Sequence, residues 1–221
     1  QFPTGVVMPV GRRQELLKWA VEAPDRYIIE DDYDSEFRYR GKPIPALQGM
    51  DRSGRVIYLG TFSKCIAPAI RVSYLVLPTH LLLRYRSQTS FYASTVSRID
   101  QNILYQFLAG GYFERHLNRM RAVYKTKHDL LLEQIEPLRE RFEIRGEHAG
   151  IHILLTSRQG ESEEQLIQKA EEAGVKVYGL SSYFIHPQHN HRPATVVLGY
   201  ASLSEEQIVE GIRLLMECWG A

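Results

Sequence analysis

The sequence predicts an α/β fold, with a parallel sheet in the first part of the chain and a smaller α+β domain after it. Short apolar runs rich in β-branched residues alternate with segments of helical spacing, and polar residues follow each run. Near-continuous apolar strands of this kind are typical of a parallel sheet covered on both faces. The predicted strands lie at 27–29, 55–60 and 72–77.

Helical patterns flank these strands. Residues 11–22 carry apolar side chains at helical spacing, and Pro24 ends the predicted helix. A long, mostly helical region extends over residues 79–138 and is interrupted at Gly110 and Gly111.

After Pro137 the pattern changes to that of a small α+β unit. Strands are predicted at 142–144, 151–156, 175–177 and 195–198, and helices at 163–173 and 205–219. Ser204 is a good N-cap for the last helix. We place the domain boundary near residue 115. Residues 1–114 then hold the remainder of a large α/β domain with linking helices, and residues 115–221 the small C-terminal domain.

The composition excludes several classes of protein. The chain has 221 residues and a formal charge of +1, whereas a stand-alone nucleic-acid binder is usually more basic. No apolar run approaches the roughly 20 residues that cross a bilayer. Cys65 and Cys218 are too few for a disulfide framework, so we expect a cytoplasmic protein with no membrane contact. The first residues, from Gln1 to Gly5, contain no initiator Met and no signal peptide, so we expect an N-terminally truncated chain.

Polar side chains at the predicted strand ends form a set that can carry chemistry. Asp31 follows the first strand, and Lys64 follows the second, with Thr61 and Ser63 before it and Arg71 seven residues after it. A lysine amine forms an imine with an aldehyde once desolvation and nearby cations lower its pKa, and hydroxyls and a guanidinium hold phosphate. A carboxylate can pair with a protonated pyridine nitrogen. A lone strand-end lysine is more often structural, but together these residues predict pyridoxal 5′-phosphate (PLP).

Four stretches of sequence carry a family pattern. They read IEDDYDSEFRY at 29–39, PIPALQ at 43–48, YLGTFSK at 58–64 and ERHLNRMR at 114–121. Together they resemble fold-type I aminotransferases and, among these, the MocR/GabR-type transcription regulators. Such regulators join an N-terminal winged helix-turn-helix to an aminotransferase-like domain that binds PLP and an amino compound.

The resemblance implies roles for individual residues. Lys64 would hold PLP as the internal aldimine, with Asp31 on the ring nitrogen, Arg71 on the phosphate and Tyr33 on the phenolic oxygen. An amino-acid or other amino-compound effector would form an external aldimine by displacing Lys64. The resemblance also implies a homodimer, in which residues 87–100 reach the partner, and DNA binding through a winged helix-turn-helix absent from this chain.

Departures from the catalytic pattern favour regulation over catalysis. Phe2 stands where aminotransferases carry an asparagine that contacts PLP, and the run at 195–200 lacks the arginine that clamps a substrate carboxylate. The tyrosine at position 33 is two residues after Asp31, where typical aminotransferases place it three residues after. A catalytic PLP-dependent aminotransferase is the alternative, and a cofactor-free dimerisation module is a third hypothesis.

Other candidates are weaker. Ser182, Tyr183 and Arg192 are predicted effector contacts, with an ordinary surface role as the alternative. Three histidines in one loop could bind a metal, but their spacing matches no established motif, so no metal is expected; they are His186, His189 and His191. Cys65 is interpreted as an apolar filler, with a reactive thiol as the alternative.

Overall fold

The computed structural model describes residues 2–39, 44–148, 150–185 and 193–220. These residues form two compact units. The N-terminal unit contains residues 8–36 and 44–120, and the C-terminal unit contains residues 2–7, 37–39 and 121–220. Among the described residues, no helix combines the length and the apolar character needed to cross a membrane.

The N-terminal unit is built on three strands. They are β1 (Ile28–Asp32), β2 (Val56–Thr61) and β3 (Ser73–Val76), in the order β1-β2-β3. Its helices are α1 (Val10–Val21), α2 (Leu47–Met50), α3 (Thr79–Gln88) and α4 (Arg98–Ala109). Gly110 and Gly111 separate α4 from α5 (Tyr112–Gln134), as predicted, and α5 continues into the C-terminal unit.

The third strand corrects one expectation. β1 and β2 are parallel, as predicted, but β3 runs antiparallel to β2. Only residues 62–72 join β2 to β3, and a parallel crossover needs a dozen or more residues. All four residues of β3 are exposed, and Ile29 of β1 is 65% exposed. The described residues therefore do not cover this sheet on both faces.

The C-terminal unit is an antiparallel sheet with helices packed on one face. Its strands are β4 (Phe142–Arg145), β5 (His152–Ser157), β6 (Tyr178–Gly179) and β7 (Thr195–Gly199), in the order β4-β5-β7-β6. Its other helices are α6 (Glu163–Glu172) and α7 (Glu205–Trp219). Ser162 and Ser204 each begin a helix with a capping box, so the predicted N-cap at Ser204 is confirmed.

One predicted strand is displaced. Residues 175–177 were expected to form a strand, but pairing with β7 begins only at Tyr178. Gly174 adopts a positive φ of 80° after α6, and the Val175 amide donates to the carbonyl of Ala170. Val177 is buried but does not pair with β7. The turn that ends α6 includes the first residues of the apolar run, so the strand begins later than the apolar pattern predicts.

The core of the C-terminal unit lies between one face of its sheet and its helices. Ile153 and Leu155 of β5 share this core with Val196 and Leu198 of β7. Trp219 is 1% exposed, its ring contacts Phe142, and its indole N–H donates to the carbonyl of Leu166 at 3.1 Å. Because side chains alternate along a strand, His152 and Leu154 lie on the other face.

The unit boundaries differ in detail from the predicted domains. The predicted boundary near residue 115 lies inside α5, and the chain passes from one unit to the other between residues 120 and 121. Residues 2–7 and 37–39 belong to the C-terminal unit although they come early in the sequence. Phe37, for example, is buried edge-on against Tyr124 at 4.8 Å. Contacts between residues so far apart in sequence produce no local pattern in the sequence, so the predicted domains did not include them.

Candidate functional site

The strand ends of the N-terminal unit bring the predicted site residues to one edge of its sheet. In the parallel ladder, Asp31 is opposite Leu59, two residues before the end of β2 at Thr61. In the antiparallel ladder, Thr61 is opposite Ser73, so β3 begins at that same edge. The segments that carry six predicted residues therefore meet there. These residues are Asp31, Tyr33, Thr61, Ser63, Lys64 and Arg71.

The two adjacent aspartates at the end of β1 have different environments. Asp32 accepts hydrogen bonds from the Tyr58 hydroxyl at 2.9 Å and from the Ser35 hydroxyl at 2.8 Å. Asp31 lies on the exposed face of the strand, and within the described ranges its carboxylate has no hydrogen bond or ion pair. Of the two, Asp31 is the carboxylate available to a ligand cation.

The end of β2 and the turn after it carry the exposed amine of Lys64, the half-buried hydroxyl of Thr61 and the buried Ser63. The Ser63 amide donates to the Thr61 hydroxyl at 3.2 Å, and this hydroxyl donates to the carbonyl of Val72 at 3.3 Å. Lys64 is exposed, and its ammonium makes no ion pair with any residue that the structure describes. The desolvation expected for this lysine from the sequence is therefore not found among these residues.

Arg71 has an unusual backbone conformation. Its φ of +48° places it in the left-handed region. Among the described residues, every other residue with a positive φ is a glycine. An L-residue with a side chain adopts this region at a cost of about 1 kcal/mol or more, and such outliers cluster at ligand sites. The strained residue is the one whose guanidinium was predicted to hold a phosphate.

Cys65 is part of the interior and not of the reactive set. It is 2% exposed, and its thiol donates to the carbonyl of Thr61 at 3.4 Å. Burial, together with the charge of Glu36, raises the pKa of the Cys65 thiol to about 11. The thiol stays protonated near neutral pH, so the interpretation as a filler is the one that the structure favours.

The predicted effector residues belong to the C-terminal unit. The Ser182 hydroxyl donates to the carbonyl of Gly179 at 2.8 Å, and the ring of Tyr183 packs edge-on against Phe2 at 4.9 Å. Arg192 lies outside the described residues. Their role in effector binding stays a prediction.

Phe2 also covers a buried histidine that the sequence did not single out. His152 is 5% exposed, its ring meets Phe2 at 5.0 Å, and its Nε2 atom has no hydrogen-bond partner among the described residues. Burial lowers the pKa of His152 from 6.5 to about 4.

This histidine should make the C-terminal unit sensitive to acid. The unfolded chain binds the proton near pH 6.5 and the folded site only near pH 4, so the free energy of unfolding should fall as the pH drops through this window. The fall is at most about 3 kcal/mol. Urea unfolding of the intact protein and of His152→Phe at pH 7, 6, 5 and 4 checks this. An equal acid loss in both proteins would contradict it.

Neither the cavity of the C-terminal unit nor the candidate metal loop involves the residues predicted to bind PLP. A cavity of about 560 Å³ opens beside β5 in the C-terminal unit, lined by Glu143, Arg158 and Glu161 among others, and no predicted site residue lines it. Within the described ranges, no group of three or more His, Cys, Asp or Glu side chains is placed to hold a metal ion. The candidate loop with His186, His189 and His191 lies outside those ranges.

Two polar residues at the site escaped the sequence analysis. Asp32 and Tyr58 fall within the family stretches at 29–39 and 58–64, but neither was assigned a role there. No local pattern marks them, because the parallel register that sets Asp32 opposite Gly60, and Tyr58 diagonally across from it on the same face, forms only in the folded chain.

Comparison with known proteins defines the class. Fold and site together define a fold-type I aminotransferase-like protein. The model of the family "Aminotransferase class I and II" matches residues 2–215, and the chain belongs to this family. The family implies PLP as the cofactor, and the groups at the sheet edge fit it: an exposed amine, a carboxylate with no hydrogen bond or ion pair among the described residues, two hydroxyls and a guanidinium.

Its curated relatives include transcription regulators, which confirms the predicted MocR-type resemblance. The chain is 46% identical over 220 residues to the uncharacterized HTH-type transcriptional regulator YdeL of Bacillus subtilis, covering 99% of this chain and 47% of that protein. It is 36% identical over 218 residues to the probable rhizopine catabolism regulatory protein MocR of Rhizobium meliloti, covering 97% and 43%. The chain thus spans about half the length of these relatives.

Solved structures show the same fold. The kynurenine aminotransferase of Pyrococcus horikoshii, crystallised with PMP, superposes with a TM-score of 0.86 at 31% identity. The match covers 99% of this chain and 53% of that one. The predicted fold class is therefore confirmed.

Proposed function

We propose that this chain is the PLP-binding, effector-sensing and dimerisation domain of a MocR-type transcription regulator. The observation that carries the proposal is the meeting of Asp31, Lys64 and Arg71 at one sheet edge, in a chain whose curated relatives are HTH-type regulators. When bound, PLP supplies an aldehyde carbon at which one primary amine can replace another.

Each site residue has a role in this proposal. Lys64 would hold the aldehyde carbon of PLP through its amine, and the amine of an effector would compete with it for that carbon. The Asp31 carboxylate would accept a hydrogen bond from the protonated ring nitrogen, and the Tyr33 hydroxyl would donate one to the phenolic oxygen. Thr61, Ser63 and Arg71 bind the phosphate. The exchange removes no proton from carbon and needs no oxidant, so it reports the effector without turnover.

The remaining parts of the proposal concern partners. The effector is an amino acid or another amino compound, and a winged helix-turn-helix elsewhere in the polypeptide binds DNA in the cytoplasm. A homodimer is supported by the exposed apolar side chains in and beside residues 87–100. These are Phe91 (75% exposed), Tyr92 (70%) and Ile99 (73%).

Asp31 provides the test of the cofactor site. In the intact protein, Asp31→Asn should weaken PLP binding about 10- to 100-fold, because a hydrogen bond between charged groups contributes about 1.5–3 kcal/mol. Equilibrium titration with PLP, followed by absorbance, measures this. Asp25→Asn, which changes an exposed aspartate just before β1, is the control and should bind PLP like the unchanged protein. Undiminished affinity in Asp31→Asn would refute the assignment.

A catalytic aminotransferase is the second candidate. The likeness to a solved kynurenine aminotransferase favours it. Against it, β7 offers buried threonine, valine and leucine where aminotransferases carry the carboxylate-binding arginine. Formation of a 2-oxo acid from an amino acid by the PLP-loaded intact protein would establish catalysis, and a spectral change without product supports sensing.

A further inference from the structure

A hydrogen-bonded group lies on the face of β1 opposite to Asp31. Asp32 is its centre: one carboxylate oxygen accepts from the hydroxyls of Tyr58 and Ser35, and the other accepts from the backbone N–H of Ser35 at 3.3 Å. These contacts tie the end of β1 to β2 on one side and to the following turn on the other. Asp31 precedes this anchor by one residue, and Tyr33 follows it by one.

The opposite strand is shaped to receive this group. Gly60 is directly opposite Asp32 in the ladder, and Tyr74 of β3 is opposite Gly60. A Cβ atom on Gly60 would lie 2.3 Å from the ring of Tyr74, so this ring occupies the space above the glycine. The ring centroids of Tyr58 and Tyr74 lie 6.2 Å apart, on the face of the sheet that also carries the Asp32 carboxylate.

The Tyr58 hydroxyl is a hydrogen-bond donor to the Asp32 carboxylate. Burial, and then the hydrogen bond and charge of Asp32, raise the pKa of Tyr58 far above its ordinary value. The phenol is therefore protonated near neutral pH and donates to the Asp32 carboxylate.

We propose that Asp32 and Tyr58 are positioning residues for the cofactor site. Because side chains alternate along a strand, Asp31 lies on the face opposite to Asp32; the Tyr58 hydroxyl fixes Asp32 at the end of β1, and with it the position of Asp31 and the start of the turn that contains Tyr33. This inference rests on the proposed function, in which Asp31 and Tyr33 contact PLP.

The test removes one oxygen atom. Tyr58→Phe in the intact protein should weaken PLP binding about 5- to 10-fold. Without the hydrogen bond to Asp32, the end of β1 no longer fixes Asp31 and Tyr33 in position for the cofactor. The midpoint at which the visible band of the lysine-bound cofactor titrates should also move to higher pH. A tyrosine that donates to the phenolic oxygen favours the deprotonated form, and a loosened Tyr33 donates less.

The same sheet provides a matched control. The Tyr27 hydroxyl makes a hydrogen bond of 2.7 Å to His80, and Tyr27 lies just before β1, at the opposite end of the strand from Asp32. Tyr27→Phe loses a comparable contact and should change neither PLP affinity nor the titration midpoint. If Tyr58→Phe does not fold, Asp32→Asn replaces it, with an expected weakening of about 2- to 5-fold and a shift in the same direction.

Three results separate the possible outcomes. A weaker affinity together with a shifted midpoint in Tyr58→Phe, but not in Tyr27→Phe, supports the positioning role. A lower thermal midpoint with unchanged affinity and titration would show a purely structural contact and overturn the inference. If the unchanged protein has no band that depends on Lys64, the proposed function itself fails, and this is seen before any tyrosine is replaced.

Discussion

Replacing Lys64 by alanine in the intact protein is expected to abolish both the visible band of lysine-bound PLP and its response to amines. Lys64 is the only lysine in residues 62–72, the described segment that joins β2 to β3, so no other side-chain amine of this segment can form the covalent bond. Absorbance spectra before and after addition of methylamine measure the loss. PLP can still bind through Asp31 and Arg71, so cofactor content should fall less than the band.

The control for this experiment is Lys18→Ala. Lys18 is exposed on α1 in the same unit, and its loss should leave the spectrum and the amine response unchanged. A visible band that survives in Lys64→Ala, with full amine response, would show that another group binds the aldehyde.

The largest effect on stability is expected from Trp219→Ala. The indole is almost fully buried, packs against Phe142 and donates to Leu166, so its truncation leaves both a cavity and a carbonyl without its donor. We expect a loss of about 3–5 kcal/mol in the C-terminal unit. Hydrogen exchange of the β5 and β7 amides in the intact protein measures it locally.

The second tryptophan of the chain is a matched control. Trp19 is 44% exposed on α1, and its ring carries the guanidinium of Arg26 at 4.9 Å. Trp19→Ala should cost less than about 1 kcal/mol, since it forfeits partial burial and one exposed cation–π contact. Equal protection of β5 and β7 in Trp219→Ala and in the unchanged protein would contradict the account of this core.

Local patterns predicted most elements of the fold. Apolar periodicity located α1, α6, α7 and most strands to within a few residues, and Ser204 signalled the start of α7. The two errors have physical causes. The direction of β3 depends on how short the connection is, and the displacement of β6 depends on the turn after Gly174.

The candidate site was predictable as a set of residue types, but not as an arrangement. Asp31, Lys64 and Arg71 could be selected because each follows or precedes a strand at the same edge. The resemblance assigned Asp31 to the ring nitrogen, but the different hydrogen bonding of Asp31 and Asp32 could not be seen, because adjacent identical residues differ only in the face of the strand on which they lie. The strained backbone of Arg71 is likewise invisible in a sequence.

By itself, the sequence determined the fold class, the cofactor chemistry and the resemblance to MocR-type regulators, because these depend on residue types and spacings along the chain. Only the tertiary structure showed that Tyr58 and Ser35 hold Asp32, and that residues 2–7 and 37–39 pack in the C-terminal unit. The physical reason is that hydrogen bonds such as Tyr58 to Asp32 join residues far apart in sequence. Their partners are selected by strand register and by the space between side chains, and neither exists until the chain has folded.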